Sequence, residues 1–337
     1  MIVDVHVHHV PEAFARFVEK AQHYGIRREA PRGESVSLHV GQLTFALTRT
    51  FFDIDRLASR MAEMRLDKAI LSLATPFVNF EVPAGVGAEA AELYNNEIAS
   101  LRKSAPSRFS AWAYLPMQDP GLAAKELRRA VTTLGAVGGY LPSNVKGRYL
   151  DADEFAPIFA MAIELGVPLM VHPSNPPARE RMAKYELAVV AGYLFDTTLN
   201  IFNMIFGGLF DRFPRLKLYC THLGGYAPML YGRMQRELDT NPGLAAQLKR
   251  PLHEYLRSIY FDTICFDPAY ARASIESGTV QPSHLLLGSD TPFPLGEPDP
   301  VGFVERSFGA DAPALVKGIL RRNASELLRL DKDGSAR

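Results

Sequence analysis

Four short apolar runs in this chain each close on a side chain that can bind a metal or carry a proton. They are Ile2-Val3-Asp4-Val5-His6-Val7-His8, Val167-Pro168-Leu169-Met170-Val171-His172, Leu216-Lys217-Leu218-Tyr219-Cys220-Thr221-His222 and Leu285-Leu286-Leu287-Gly288-Ser289-Asp290. Three or more imidazoles and a carboxylate converging on one point would suit a borderline divalent ion such as zinc. His6 and His8 are separated by one residue, and on a strand such positions face the same side, so both rings can aim at one point. A His-x-His pair alone is a weak signal; its place at the end of a strand is what strengthens it. His9 points the other way and reads as structural or as support for its neighbours. His23, His39, His253 and His284 lack a strand-end context and read as non-catalytic. An acid just after a strand, such as Asp290, is often a cap or turn residue; a metal reading comes to it from the other three runs.

These side chains need a scaffold that brings distant segments together. A strand buried on both faces reads as an unbroken apolar run. If such strands are parallel neighbours in a barrel, their ends open on one face, where barrel enzymes carry their chemistry. Candidate strands are 1–7, 68–74, 109–115, 135–141, 167–172, 216–222, 258–263 and 284–289. Amphipathic stretches at 86–103, 120–134, 153–165 and 225–239 lie between most of them, with Leu122, Leu127 and Val131 at helical spacing in the second. Eight strands separated by helices predict an α/β fold, a (β/α)8 TIM barrel, as a single domain over 1–337. One region breaks the rhythm. In the segment 11–52, Val36, Leu38 and Val40 alternate with Ser37 and His39, and after Gly41-Gln42, Leu43, Phe45 and Leu47 alternate with Thr44 and Ala46. That predicts a hairpin inserted after the first strand, either covering part of the barrel mouth or lying plainly on the surface.

Composition is consistent with this architecture. The chain has 337 residues and is 47% apolar, ample for a barrel that takes roughly 250 residues. Lys+Arg and Asp+Glu are both 37, for a formal net charge of +0, so neither nucleic acid nor an anionic membrane is an expected partner. The N-terminus lacks the charged and apolar regions of a signal peptide, and no run of 18 apolar residues occurs; a cytoplasmic location is expected. Cys220 and Cys265 are too few for a disulfide scaffold and read as reduced thiols.

Taken together, Asp4-Val5-His6-Val7-His8, Val171-His172-Pro173, Thr221-His222-Leu223-Gly224-Gly225 and Leu287-Gly288-Ser289-Asp290-Thr291-Pro292-Phe293-Pro294 resemble the amidohydrolase superfamily. The resemblance is narrower to its decarboxylase branch, typified by 2-amino-3-carboxymuconate-6-semialdehyde decarboxylase, and it runs along nearly the whole chain, with Ala74-Thr75-Pro76, Leu115-Pro116-Met117-Gln118-Asp119 and Asn323-Ala324 in support. It implies that His6, His8, His172 and Asp290 are ligands of one divalent metal, zinc first and manganese as the alternative, with no organic cofactor. It implies that His222 is the proton-handling catalytic residue, with Asp290 sharing that work. Binuclear members carry a bridging lysine at the end of the fourth strand; Gly138-Gly139-Tyr140-Leu141-Pro142 has none, so a mononuclear site is expected.

For the substrate, the resemblance points to Arg233, Phe293, Tyr185 and Asn175. Arg233 matches an arginine that the branch offers to the neighbouring subunit's site, which implies a homodimer or a dimer-based oligomer. It shares a helical stripe with Met229 and Tyr226, and from the residues alone it could snorkel to solvent or serve an interface. The arginine that the branch carries in its inserted segment is not matched: Phe45-Ala46 stands there, and Arg49 is out of register. The expected activity is metal-dependent, non-oxidative decarboxylation of a small aromatic or unsaturated carboxylic acid. The rival reading keeps the residues and changes the reaction to hydrolysis or hydration by metal-activated water. A non-catalytic barrel binding a metabolite is the third.

Overall fold

The computed structural model describes residues 1–41, 43–309 and 312–331. Its strands, in chain order, begin with β1 (Val3–His8), followed by β2 (Ile26–Arg28), β3 (Ser35–Val40) and β4 (Leu43–Thr48) of the insertion. Then come β5 (Lys68–Ser72), β6 (Phe109–Tyr114), β7 (Gly138–Pro142), a small pair β8 (Asn144–Val145) and β9 (Arg148–Tyr149), β10 (Leu169–His172), β11 (Leu218–Cys220), β12 (Tyr260–Asp262) and β13 (Leu285–Leu286). Eight of them form one sheet in the order β1-β5-β6-β7-β10-β11-β12-β13, with every paired neighbour parallel. The two ends meet: Val5 N donates to Leu287 O at 3.0 Å, Asp290 N to His6 O at 2.9 Å and His8 N to Thr291 O at 2.7 Å. The result is the expected (β/α)8 barrel, each of the eight predicted runs contributing one strand.

Local chemistry sets the helix starts. Asp119, Asp267 and Asp299 each precede a proline at the first helical position and accept backbone N–H groups, opening the helices Pro120–Thr132, Pro268–Glu276 and Pro300–Phe308. The carboxylate satisfies orphan donors, and proline has no N–H to leave unsatisfied there. Gly166, in the left-handed region at φ 66°, stops Ala156–Leu165 so that the chain can turn into β10. Inside the barrel, Trp112 donates from Nε1 to Val5 O at 3.0 Å and lies 5.8 Å from the Tyr219 ring. Gly138 makes room for it, since a Cβ there would lie 2.8 Å from the indole and 2.1 Å from Pro168 O. Gly138 therefore faces the barrel interior, and so does Tyr140, two residues on.

The insertion holds the predicted hairpin. β3 and β4 pair antiparallel in the register Val36↔Leu47 and Leu38↔Phe45, with Val36, Leu38 and Leu47 buried. Gln42 lies outside the described residues. Two parts of it were not anticipated: β2 adds a third strand, and Glu12–Lys20 is a helix, tied to β2 by Arg28, whose guanidinium reaches Glu12 at 2.7 Å and Glu19 at 2.9 Å. The insertion ends at the barrel mouth, where the Phe51 ring packs 4.8 Å from Phe293 and Phe293 packs 5.1 Å from His8. The helix expected over 225–239 runs instead over Tyr231–Thr240, because Gly224 and Gly225, at φ 71° and 64°, hold the preceding residues in turns.

Candidate metal centre

The four expected ligands meet at the C-terminal mouth of the barrel. One donor atom from each of His6, His8, His172 and Asp290 lies within 4.8 Å of the others. His6 and His8 come from the first barrel strand, His172 from the fifth, and Asp290 follows the eighth. The two β1 rings stand side by side at 5.1 Å, as their spacing on a strand requires, and each lies 5.1–5.2 Å from the His172 ring.

The outward-facing nitrogen of each ring is held. His6 Nδ1 lies 2.9 Å from Asp262 Oδ2. His8 Nδ1 lies 3.3 Å from Leu73 O and 3.1 Å from Ser72 Oγ. His172 Nδ1 lies 3.0 Å from Pro173 O and 3.3 Å from Thr75 Oγ1. An Nδ1–H donated to such acceptors leaves the Nε2 lone pair pointing to the centre. Nε2 of His6 and of His172 is buried with no hydrogen-bond partner. Buried polar nitrogens left unmet destabilise a fold by about 1–3 kcal/mol each. A divalent cation between them and Asp290 would remove that penalty, so the residues fit the ion implied by their types.

Electrostatics prepare the donors in their ligating forms. Burial, reinforced by His6, His8 and His222, holds the His172 imidazole well below its ordinary value, so it is neutral. Burial also lowers His6, against the opposing pull of Asp290 and Asp262. Burial alone would raise Asp290, but His6, His222 and His8 outweigh it and hold the carboxyl well below the usual range.

His222 stands beside the ligands. It and Leu223 take left-handed backbone conformations, φ 55° and 51°, and the turn packs tightly on the helix Tyr193–Phe206: a Cβ on Gly225 would lie 2.2 Å from Leu194 O. His222 Nε2 lies 3.4 Å from Asp290 Oδ2, whereas His8 Nε2 and His6 Nε2 approach Oδ1 at 2.9 and 3.4 Å. The carboxylate thus faces the metal-site rings with one oxygen and His222 with the other. Burial pulls the His222 ring down, but the hydrogen bond and charge of Asp290, with Asp262, outweigh it and raise it above its ordinary value.

Asp262 is the part of the site that motif reading missed. Fully buried at the end of the seventh barrel strand, it accepts from His6 Nδ1, from Tyr219 OH at 2.7 Å, and from the backbone N–H of Leu223 and Ile264 at 3.1 Å each. The signal was available: Ile259-Tyr260-Phe261-Asp262 is another apolar run closing on an acid. Tyr140 lies at the end of the fourth strand, where binuclear members carry lysine, and nothing in its spacing marks it further. It is fully buried, its ring stacks on His172 at 5.8 Å and 26°, and burial raises its phenol far above the ordinary value. Of the four expected substrate residues, Phe293 is at the mouth. Asn175 is exposed, its carbonyl accepting from Asn144 Nδ2 at 3.3 Å. Tyr185 is 84% exposed at φ 61°, and Arg233 is exposed on its helix.

The fold and this site define a class: a parallel (β/α)8 barrel with a cluster of metal-binding side chains at the C-terminal ends of its strands. The family profile described as amidohydrolase matches residues 3–330, and the protein belongs to that family. Among curated relatives, 2-amino-3-carboxymuconate-6-semialdehyde decarboxylase of Dictyostelium discoideum is 29% identical over 98% of this chain and 92% of its own. A gamma-resorcylate decarboxylase of Polaromonas sp. is 31% identical over 71% of this chain and 77% of its own. Among solved structures, 5-carboxyvanillate decarboxylase of Novosphingobium aromaticivorans, in complex with manganese and 4-hydroxy-3-methoxy-5-nitrobenzoic acid, superposes with a TM-score of 0.80 at 21% identity, covering 98% of this chain and 96% of its own.

Proposed function

We propose that this protein is a metal-dependent, non-oxidative decarboxylase of a small aromatic or unsaturated carboxylic acid. The observation that carries the reading is the double-faced Asp290, bound into the three-histidine cluster through one oxygen and facing the catalytic candidate His222 through the other. Decarboxylation leaves negative charge on carbon as carbon dioxide departs, and protonation of that carbon before bond cleavage relieves the charge. His6, His8, His172 and Asp290 would hold one divalent ion, zinc first and manganese as the alternative. Such an ion supplies Lewis acidity and a template for substrate oxygens. His222 Nε2, kept readily protonated beside Asp290, is placed to store and deliver a proton at the rim. Phe293 and Phe51 wall the mouth and exclude water. Tyr185 and Asn175 are kept as substrate contacts made when the loop after His172 is covered.

The covering surface would be a second copy of the chain. Tyr185, Val190, Phe195, Met229 and Phe266 are large apolar residues, 84%, 55%, 45%, 61% and 47% exposed, all on segments that follow the fifth, sixth and seventh barrel strands. Arg233 is exposed in the same region, and we infer that it reaches the partner's pocket to pair with a substrate carboxylate. We place the protein in the cytoplasm. Both cysteines are free thiols, and the one described helix long and apolar enough to cross a membrane, Ala188–Phe206, is half buried in the barrel.

The test is to incubate metal-loaded and chelator-stripped protein with hydroxybenzoates, carboxymuconates and related acids, following carbon dioxide and absorbance. Metal-dependent release of carbon dioxide is expected. Turnover of lactones or amides with no carbon dioxide from any acid would overturn the reading in favour of a hydrolase.

A further inference from the structure

Asp196 is a buried acid outside the metal centre. It lies on the helix Tyr193–Phe206 and is fully buried. Its carboxylate gathers donors from the chain that follows the fourth barrel strand. Ser143 Oγ and Asn144 Nδ2, the latter at 2.8 Å, meet Oδ2, and Tyr149 OH meets Oδ1 at 3.1 Å. All of these donors are neutral. Burial pushes the carboxyl up, against the hydrogen bonds of Ser143, Asn144 and Tyr149. A buried carboxylate without a cation costs free energy that an apolar contact would not. What it supplies is direction, since an ionised carboxylate only accepts and turns every surrounding O–H and N–H towards itself.

Ser143 carries that direction to the barrel mouth. With its proton committed to Asp196, Ser143 Oγ accepts from Ser174 N at 2.9 Å. Ser143 N donates to His172 O at 2.9 Å. Asn144 Nδ2 also lies 3.2 Å from Ser174 O and 3.3 Å from Asn175 O. The N–H of Ser174 shares one rigid peptide plane with Pro173 O, and Pro173 O lies 3.0 Å from His172 Nδ1. One end of that plane is therefore held by Ser143, and the other faces the ring of a metal-site histidine.

We propose that Asp196 is a positioning residue, which through Ser143 and the Pro173–Ser174 peptide fixes the orientation of the His172 ring. Without the carboxylate, the Ser143 hydroxyl is free to rotate and to turn its proton towards Ser174 N–H. The peptide plane then loses its hold, and the carbonyl that meets His172 Nδ1 moves with it. Tyr149, on the other carboxylate oxygen, lies off this path and anchors only the β8–β9 pair. This rests on the metal-centre reading for why the ring must be oriented, but not for the clamp itself.

The experiment takes two readouts on Asp196→Ala, Ser143→Ala, their double variant and Tyr149→Phe. Amide hydrogen exchange at Ser174 is followed in the metal-free protein. Cobalt(II) is then titrated in well below each melting temperature, and its affinity and visible absorption report the ligand geometry. Asp196→Ala and Ser143→Ala are each expected to speed exchange at Ser174, to alter the visible band and to weaken cobalt binding by about 10-fold, the low end for groups that hold a metal ligand. The double variant should be no worse than either single one, since both break the same path. Asp196→Asn should be near native, because its amide oxygen still accepts from Ser143 and Asn144 while its NH2 donates to the Tyr149 oxygen. Tyr149→Phe should lower the melting temperature and leave both readouts unchanged. Native exchange at Ser174 in Asp196→Ala, or faster exchange with native cobalt affinity and absorption, would overturn the assignment and leave Asp196 a residue of the fold alone. If Asp196→Ala does not fold, Ser143→Ala decides by the cobalt criteria. Cobalt bound equally by the native protein and by His172→Ala would sink the metal-centre reading, and exchange at Ser174 would still decide on the clamp.

Discussion

Replacing Asp262 by asparagine should weaken metal binding by about 10- to 100-fold, although Asp262 touches no metal. A carboxylate has about four acceptor positions, and here four donors fill them: His6 Nδ1 and Tyr219 OH on Oδ2, Leu223 N and Ile264 N on Oδ1. An amide keeps one acceptor oxygen. If that oxygen serves the two backbone N–H groups, the amide NH2 faces His6 Nδ1 and Tyr219. His6 must then move its proton to Nε2, the atom that lies among His8, His172 and Asp290. A protonated Nε2 is no ligand, and the neutral tautomer with the right lone pair is disfavoured. If the amide is turned over, two backbone donors meet its NH2 with no acceptor between them, and the turn carrying His222 loses its anchor. The expected loss corresponds to about 1.4–2.7 kcal/mol of metal-binding free energy. The assay is competition for zinc against a chromophoric chelator, with Asp267→Asn as a control of equal charge change at an exposed helix cap. A dissociation constant within twofold of the native one, in a variant with native circular dichroism, would refute the tautomer reasoning.

His172→Ala should lose most of its bound metal while remaining folded, because a four-ligand site falls to three; full occupancy by elemental analysis would remove His172 from the ligand set. His222→Ala should retain much of its metal and lose turnover by about 10²- to 10⁴-fold, and near-native turnover on an acid the native protein decarboxylates would exclude the proton role. Mixing Arg233→Ala with His222→Ala subunits should restore some activity if Arg233 serves its neighbour's site; proven heterodimers with none would assign it to its own subunit or to the interface alone. His284 offers a test of stability against pH away from the metal. Burial against Tyr260, 3.9 Å between stacked rings, with the charges of Arg257 and Lys217, depresses its imidazole despite favourable backbone contacts. The unfolded chain therefore takes up this proton first, and stability should fall as pH drops through about 6.5; His284→Phe should reduce the difference in melting temperature between pH 8 and pH 5, and an unchanged difference would refute the shift.

The barrel was legible because each strand is a short run buried on both faces, and such runs need no partner to be recognised. The cluster was legible for a related reason: His6, His8, His172 and Asp290 each end a run, so one architectural rule placed them all. Asp262 obeys the same rule, yet its importance depends on which atoms of which neighbours point at it, and no spacing reveals that. Tyr140 is similar, since only the inward direction of Gly138 shows which way the tyrosine faces. Helix Glu12–Lys20 hid behind Pro11 in a segment dominated by the alternation of the hairpin. The long helix containing Tyr193–Phe206 lacked a signal because most of its residues from Asp196 to Ile205 are buried, polar ones among them, which erases the two-sided pattern of a surface helix. For Tyr185, Asn175 and Arg233, the single chain supplies exposure but no partner, so their assignment rests on what covers that face.

Barrel closure by the first and last strands also fixes when the four-donor cluster can form. His8 and Asp290, 2.9 Å apart in the finished molecule, are separated by 282 residues of chain. At about 5–20 residues added per second, roughly 15–60 s pass between the synthesis of His8 and that of Asp290. Throughout that interval the His-x-His pair is without its carboxylate partner. A complete set of four donors therefore exists only once Asp290 has been made and the barrel has closed. If the closed cluster holds an ion, expression in medium enriched in one metal should change which ion is found in the purified protein; the same ion from zinc-rich and manganese-rich media would show that the closed shell itself selects.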